Sequence, residues 1–142
     1  MREILFRGRT IDNRWKKGYL ITEDEQNESG KWEKVYKIHD GESFKYEVNP
    51  ETIGQYTGLR DKNGKKIFEG DILAFTTYDG RILIEGVVRY GKFNYFNYNG
   101  AKTSYGWFID DGEMSYLDGS NPELHIIGNI HDNPELLEGD DE

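Results

Sequence analysis

Apolar and polar residues alternate with a period of two along most of this chain. In REILFRGRTI, Ile4, Phe6 and Ile11 stand among charged neighbours, and RWKKGYLIT repeats the pattern after Asp12 and Asn13, which predicts a hairpin. KWEKVYKI alternates strictly, with Trp32, Val35 or Tyr36, and Ile38 predicted to face inward. Across the turn HDGE, SFKYEV puts Phe44, Tyr46 and Val48 on one face. Between these strands EDEQNESG, Glu23 to Gly30, has no apolar residue and predicts a mobile, solvated loop. The second half continues with KIFEGDILAF, RILIEGVVRY and GWFIDDG, separated by Asp-Gly, Tyr-Gly and Asn-Gly steps, and Tyr78, Asp79 and Gly80 predict a tight turn between two of them. Short strands at about ten-residue spacing predict a barrel or sandwich, and without a sustained 3.6-residue period helices are few and short.

All three prolines lie in Asn-Pro-Glu tripeptides, at Asn49, Asn121 and Asn133. Asn suits a helix N-cap, Pro the first helical position and Glu the positive end of the dipole, so each copy predicts one turn of helix. Strands are predicted to follow the first two, at Ile53 to Thr57 and Ile126 to Ile130, with glycine marking a bulge or close backbone approach. GQYTGLRDKNGKKIFEGDIL, Gly54 to Leu73, invites readings as an ion or phosphate loop. A calcium loop fails because Lys65 and Lys66 stand where oxygen ligands should continue, and a phosphate loop fails because only Gly64 precedes the lysines and IFEGDIL reads as strand. Turn chemistry remains: Asn63 and Gly64 at the corners of a type I′ hairpin, Gly70 at a bend, and Asp71 capping backbone N–H groups.

IGQYTGLRDKNGKKIFEGDIL, together with ELHIIGNIHDNPELL and an opening close to MREILFRG, resembles the YopX family of bacteriophage and prophage proteins. The resemblance implies a β-rich fold with a carboxy-terminal barrel and a phage-encoded protein in a bacterial cytoplasm. It implies no catalytic residues, because the family has no established biochemical activity. We therefore expect a mainly β protein: an amino-terminal β-hairpin region over residues 1–50, and a small β-barrel region over 51–142 ending in an acidic tail, with short one-turn helices.

Composition narrows the function more than the fold. The 142 residues include no cysteine, which excludes disulfides, thiolate catalysis and Cys-ligated metals and fits a reducing compartment. Glu3, Arg7 and Arg9 occupy the place of a signal peptide's apolar run, and no stretch reaches the ~18 apolar residues of a membrane helix, so a cytoplasmic protein is expected. Hydrophobic residues make up only 35%, but aromatics reach 14%, which predicts an aromatic core. The net charge of −9 sets the long-range field against phosphate backbones and makes nucleic acid an unfavoured partner. It leaves open acidic DNA mimicry.

Candidate chemistry is sparse. His125 and His131 fall at opposite ends of a predicted strand, too far apart to share an ion, and His39 lies elsewhere. Adjacent carboxylates such as Asp110 and Asp111, or the close pair Glu69 and Asp71, lack the separate environments that acid and base roles require. No serine has a nucleophile elbow and no lysine an apolar run. No catalytic, cofactor or metal residue is therefore assigned, and the expectation is a non-enzyme. The distinctive segment is RYGKFNYFNYNGAKTSYGW, in which Tyr90, Phe93, Tyr95, Phe96, Tyr98, Tyr105 and Trp107 form a candidate interaction surface among Asn, Gly and three cations. Read conservatively, it is two strands joined at Asn99 and Gly100, with rings alternating between core and surface. Alternation cannot bury both Tyr95 and Phe96, so at least one ring is exposed or covered by a partner subunit. The favoured function is a protein-interaction module, self-associating through aromatic or edge-strand surface; the alternative stacks single-stranded nucleic acid on the aromatic segment.

Overall fold

Antiparallel pairing organises the whole of this computed structural model, which describes residues 3–111, 114–117 and 123–138. The strands are β1 (Phe6–Arg9), β2 (Trp15–Gln26), β3 (Trp32–His39), β4 (Lys45–Glu47), β5 (Asn49–Arg60), β6 (Lys66–Phe68), β7 (Asp71–Thr76), β8 (Ile82–Asn97), β9 (Gly100–Asp110), β10 (Met114–Tyr116) and β11 (His125–Asn129), followed by a 3-10 helix at Pro134–Leu137. One sheet has the order β4-β3-β2-β1-β5-β6 and the other β10-β9-β8-β7-β11. No helix of the described residues is long and apolar enough to cross a membrane.

The chain divides into two compact units, Met1–Tyr56 and Thr57–Glu142, with the boundary inside β5. In the first unit Ile38, Val48 and Thr52 are buried, and the Arg7 guanidinium lies 4.8 Å from the centroid of the Trp15 ring. Thr52 Oγ1 accepts from the Arg9 N–H at 2.9 Å and donates to the Asn49 carbonyl at 2.6 Å, fastening the start of β5 to β1. Trp32 and Phe44, expected inward, are 65% and 62% exposed; the buried apolar positions here are Ile38, near the end of β3, and Val48, just past β4. The second unit packs Ile67, Leu73, Val88, Ile109, Leu117 and Leu124 as its core, with Leu59, Phe75, Trp107 and Ile126 half-buried against it. The expectation of a β-rich chain with little helix holds.

Three local expectations are corrected. Glu23 to Gln26 is strand rather than loop, because cross-strand ion pairs replace apolar contacts: Lys37 Nζ lies 3.0 Å from Glu23 and 2.6 Å from Glu25, and Lys45 Nζ 2.5 Å from Glu23. Asn49-Pro50-Glu51 opens β5 rather than a helix, since the Asn49 side chain accepts from the Glu51 N–H in an Asx turn that leads straight into strand. The copy at Asn121 lies outside the described residues. Of the two described copies only that at Asn133 starts a helix, and there the side chain makes no cap; Asn133 Oδ1 accepts instead from the Asn129 N–H at 3.2 Å.

The third correction concerns the turn at Asn63 and Gly64. Asn63 does not take positive φ; Asp61 N–H donates to the Lys65 carbonyl, Gly64 N–H to the Asp61 carbonyl, and only Gly64 (φ 82°) is left-handed. This is a type I turn closed by a left-handed residue, selected because Asp61 Oδ1 takes the N–H groups of both Asn63 and Lys65 at 2.9 Å. The same backbone bonds recur at Thr10 to Arg14, Asn27 to Lys31 and Thr77 to Arg81, each with a Thr or Asn side chain accepting from the fifth residue.

Candidate functional site

Residues Arg89 to Trp107 form most of a two-stranded ribbon. Register across β8 and β9 sets Tyr90 opposite Trp107, Lys92 opposite Tyr105, Asn94 opposite Thr103 and Phe96 opposite Ala101, all on one face. Arg89 and Phe108, Gly91 and Gly106, Phe93 and Ser104, and Tyr95 and Lys102 share the other. Among the described residues no strand pairs with the outer edge of β8 beyond Val88 or with that of β9 from Gly100 to Gly106. These stretches therefore present unpaired backbone N–H and C=O groups, as an edge strand does.

The two faces differ. On the first, Tyr90, Tyr105 and Phe96 are 62%, 73% and 83% exposed, while Trp107 is half-buried with its ring edge-on to Tyr90, 4.9 Å between centroids. Thr103 Oγ1 donates to Asn94 Oδ1 at 2.9 Å in the row between Tyr105 and Phe96. On the second face Phe93 is buried and stacks on Phe108 with centroids 5.2 Å apart. Their register rows lie four residues apart, about 13 Å along the strand, so both side chains lean across the intervening row. That row is Gly91 facing Gly106, with no side chain to obstruct them. Phe93 thus belongs to the interior and leaves the candidate surface; Tyr95 is half-buried, and Phe96 is the exposed member of its pair with Tyr95. Tyr98 sits fully exposed in the turn, where Asn97 Oδ1 accepts from the Asn99 N–H.

The ribbon is also distinct electrostatically. From Gly86 to Ile109 there is no Asp or Glu, although 27 acidic residues occur in the chain. Arg89, itself exposed, is held by Asp110 at 3.2 Å, which leaves Lys92 and Lys102 as the cations of the arm outside the ion pairs described.

The conspicuous Gly54 to Leu73 stretch, by contrast, spends its polar groups on its own backbone. Asp61 Oδ2 accepts from the Ile126 N–H at 3.0 Å and Lys62 N–H donates to the Leu124 carbonyl, which joins this turn to β11. Asp71, 1% exposed, accepts from the Phe68 N–H at 2.7 Å, the capping role expected of it. At Gly128 the ladder shifts register, and a Cβ there would lie 2.5 Å from Asn133 Oδ1, so this glycine admits the side chain that holds Asn129. His39 Nδ1 accepts from the Gly41 N–H, and His125 lies opposite Ala74 in the sheet. Among the described residues no three His, Asp or Glu side chains gather as a metal site. The link from Asp61 to Ile126 was missed by sequence reasoning, because nothing local to either residue signals a bond between them.

A family model described as "YopX protein" matches residues 5–138. Among solved structures, the crystal structure of protein EF1440 from Enterococcus faecalis is similar, at 24% identity and a TM-score of 0.49, covering 97% of this chain and 100% of that one. No curated protein matches.

Proposed function

The chain belongs to the YopX family, and from that premise we propose that it is a phage-encoded accessory protein of the bacterial cytoplasm, a non-enzymatic module that binds protein through the β8–β9 ribbon. One observation carries this reading: Tyr90, Tyr105 and Phe96 expose rings on a single face of an arm whose two edges are unpaired among the described residues. Rigid aromatic rings supply contact area at low entropic cost, and an open edge adds main-chain bonding. A barrel-like second unit belongs to the same proposal as the base of the arm. It is supported by bonds that wrap the chain: Gly70 N–H to the Val88 carbonyl, Ile130 N–H to the Gly70 carbonyl, and Lys62 to Leu124.

The test is affinity capture from phage-infected cells, with any candidate then purified and its binding measured directly. Phe96→Ser with Tyr105→Ser should weaken that binding by tenfold or more, on the order of the cost of losing two interface rings, without lowering the melting temperature. Equal binding by the variant would refute the ribbon as the interface.

A second reading is favoured by the acid-free run from Gly86 to Ile109: single-stranded nucleic acid stacked on the same rings. Its mark is affinity for an oligothymidylate that falls steeply with salt and disappears in the same double variant. The protein-binding reading expects no such affinity even at low salt.

A further inference from the structure

Ile82, Leu83 and Ile84 open β8 and are 59%, 45% and 43% exposed. Successive strand residues point to opposite faces, so a partner lying on one face would cover Ile82 and Ile84, or Leu83, but not all three. A strand added at the edge covers them together.

That edge is open. β7 occupies one side of the segment through Thr76 opposite Ile82, Phe75 opposite Leu83 and Ala74 opposite Ile84, while β9 pairs with β8 only from Val87 onward. Among the described residues no strand lies along the other side. The Thr77 N–H donates to the Arg81 carbonyl, so the peptide groups of Arg81, and by alternation those of Leu83, face β7. Ile82 and Ile84 therefore turn their N–H and C=O groups outward. A groove of about 470 Å³ lined by Ile84, Gly86, Leu136 and Leu137 adjoins this edge.

We infer that two copies of the chain pair here, antiparallel, about a two-fold axis through Leu83. This register sets Leu83 against itself, Ile82 in a hydrogen-bonded pair with the partner's Ile84, and Arg81 opposite the partner's Glu85. The symmetry uses each outward N–H and C=O of Ile82 and Ile84 once and creates two opposite-charge pairs at the ends. Charge complementarity selects a second copy over an unrelated strand, because ArgIleLeuIleGlu read backwards from the axis is its own match. Glu85, half-buried, has no ion-pair partner among the described residues, and Arg81 meets only the solvent-exposed Asp79 among the ion pairs described. Five paired residues make a small interface, so the dimer is weak and forms with rising concentration. The inference is independent of what the ribbon binds.

The test is sedimentation velocity of the full chain over a concentration series reaching the millimolar range. The expected result is a reversible dimer, weakened by about tenfold in Arg81→Glu and again in Glu85→Arg, and restored to within about threefold of the original in the double exchange. Leu83→Lys, which sets like charges together on the axis, abolishes it. Melting curves check that each variant is folded. A chain monomeric throughout the series overturns the inference, as does a dimer insensitive to both single exchanges, or a double exchange that fails to restore it. If Phe96→Ser with Tyr105→Ser dissolves the dimer and the charge exchanges do not, the second copy sits on the ribbon and this edge is excluded.

Discussion

Asp61 concentrates three tasks in one carboxylate: Oδ1 accepts from the Asn63 and Lys65 N–H groups and sets the turn, while Oδ2 accepts from Ile126, 65 residues away. It is 8% exposed, so truncation removes acceptors that water reaches poorly. Bonds to a charged acceptor are worth more than neutral ones, and the Ile126 donor would be left partly buried without a partner. We expect Asp61→Ala to cost about 2–4 kcal/mol, seen as a lower urea midpoint at unchanged slope, with Asp61→Asn intermediate because one acceptor oxygen survives. A loss below about 0.5 kcal/mol for Asp61→Ala would show that the carboxylate merely decorates the turn. Half of this residue's role was legible in the sequence: an Asp three positions before Gly announces a capped turn. The other half depends on the approach of β11, which has no local signature.

The hairpins show the same division at the scale of the element. TIDNR, NESGK, DKNGK and TYDGR share an acceptor side chain first, Asn or Gly fourth and a cation fifth, and all four adopt one backbone pattern. That repeat was present in the sequence, hidden by attention to the Asn-Gly pair alone; the Asn-Pro-Glu echo, though more conspicuous, gave strand at Asn49 because an Asx turn competes with a helix start. The outer half of β2 was illegible to a hydrophobic pattern because its period of two is written in charge. Lys45 and Lys37 hold the Glu23 carboxyl down to about 2 from its ordinary 4.5, and Glu25 and Glu23 push Lys37 up to about 12. Unfolded Glu23 takes up its proton near pH 4.5, whereas folded Glu23 stays charged to about pH 2; the pairing therefore stabilises fully above that window and is lost as pH falls through it. We expect the first unit to weaken as pH drops from about 4.5 towards 2, and Lys45→Met to raise the midpoint of the Glu23 carboxyl resonance in an NMR titration. A midpoint unmoved by Lys45→Met would contradict the assigned cause.

Over the whole molecule the charge is segregated: the acid-free run from Gly86 to Ile109 carries Arg89, Lys92 and Lys102 in a chain of net charge −9. The aromatic density of that run could be read directly, as could the need to expose Tyr95 or Phe96. That its outer part has edges unpaired among the described residues could not, since an edge is defined by strands that pair elsewhere in the chain. The segregation gives the two modes of association opposite responses to salt. Two copies of charge −9 whose centres lie about 30 Å apart repel by roughly 10 kcal/mol in unscreened water. A screening length of about 30 Å at 0.01 M salt leaves several kcal/mol of this, and one of about 8 Å at 0.15 M leaves a few tenths. The two Arg81–Glu85 pairs of the proposed dimer lie at the surface, with Arg81 exposed and Glu85 half-buried, and are together worth at most about 2 kcal/mol, so salt relieves more repulsion than it removes attraction. The dimer should therefore tighten between 0.01 and 0.15 M salt, a range set by the screening length, when followed by sedimentation at fixed protein concentration. Binding of a polyanion to Lys92 and Lys102 must weaken over the same range as its counterions are no longer released at a gain. A self-association that loosens with added salt would mean that opposite charges, rather than the apolar edge at Leu83, supply its main attraction.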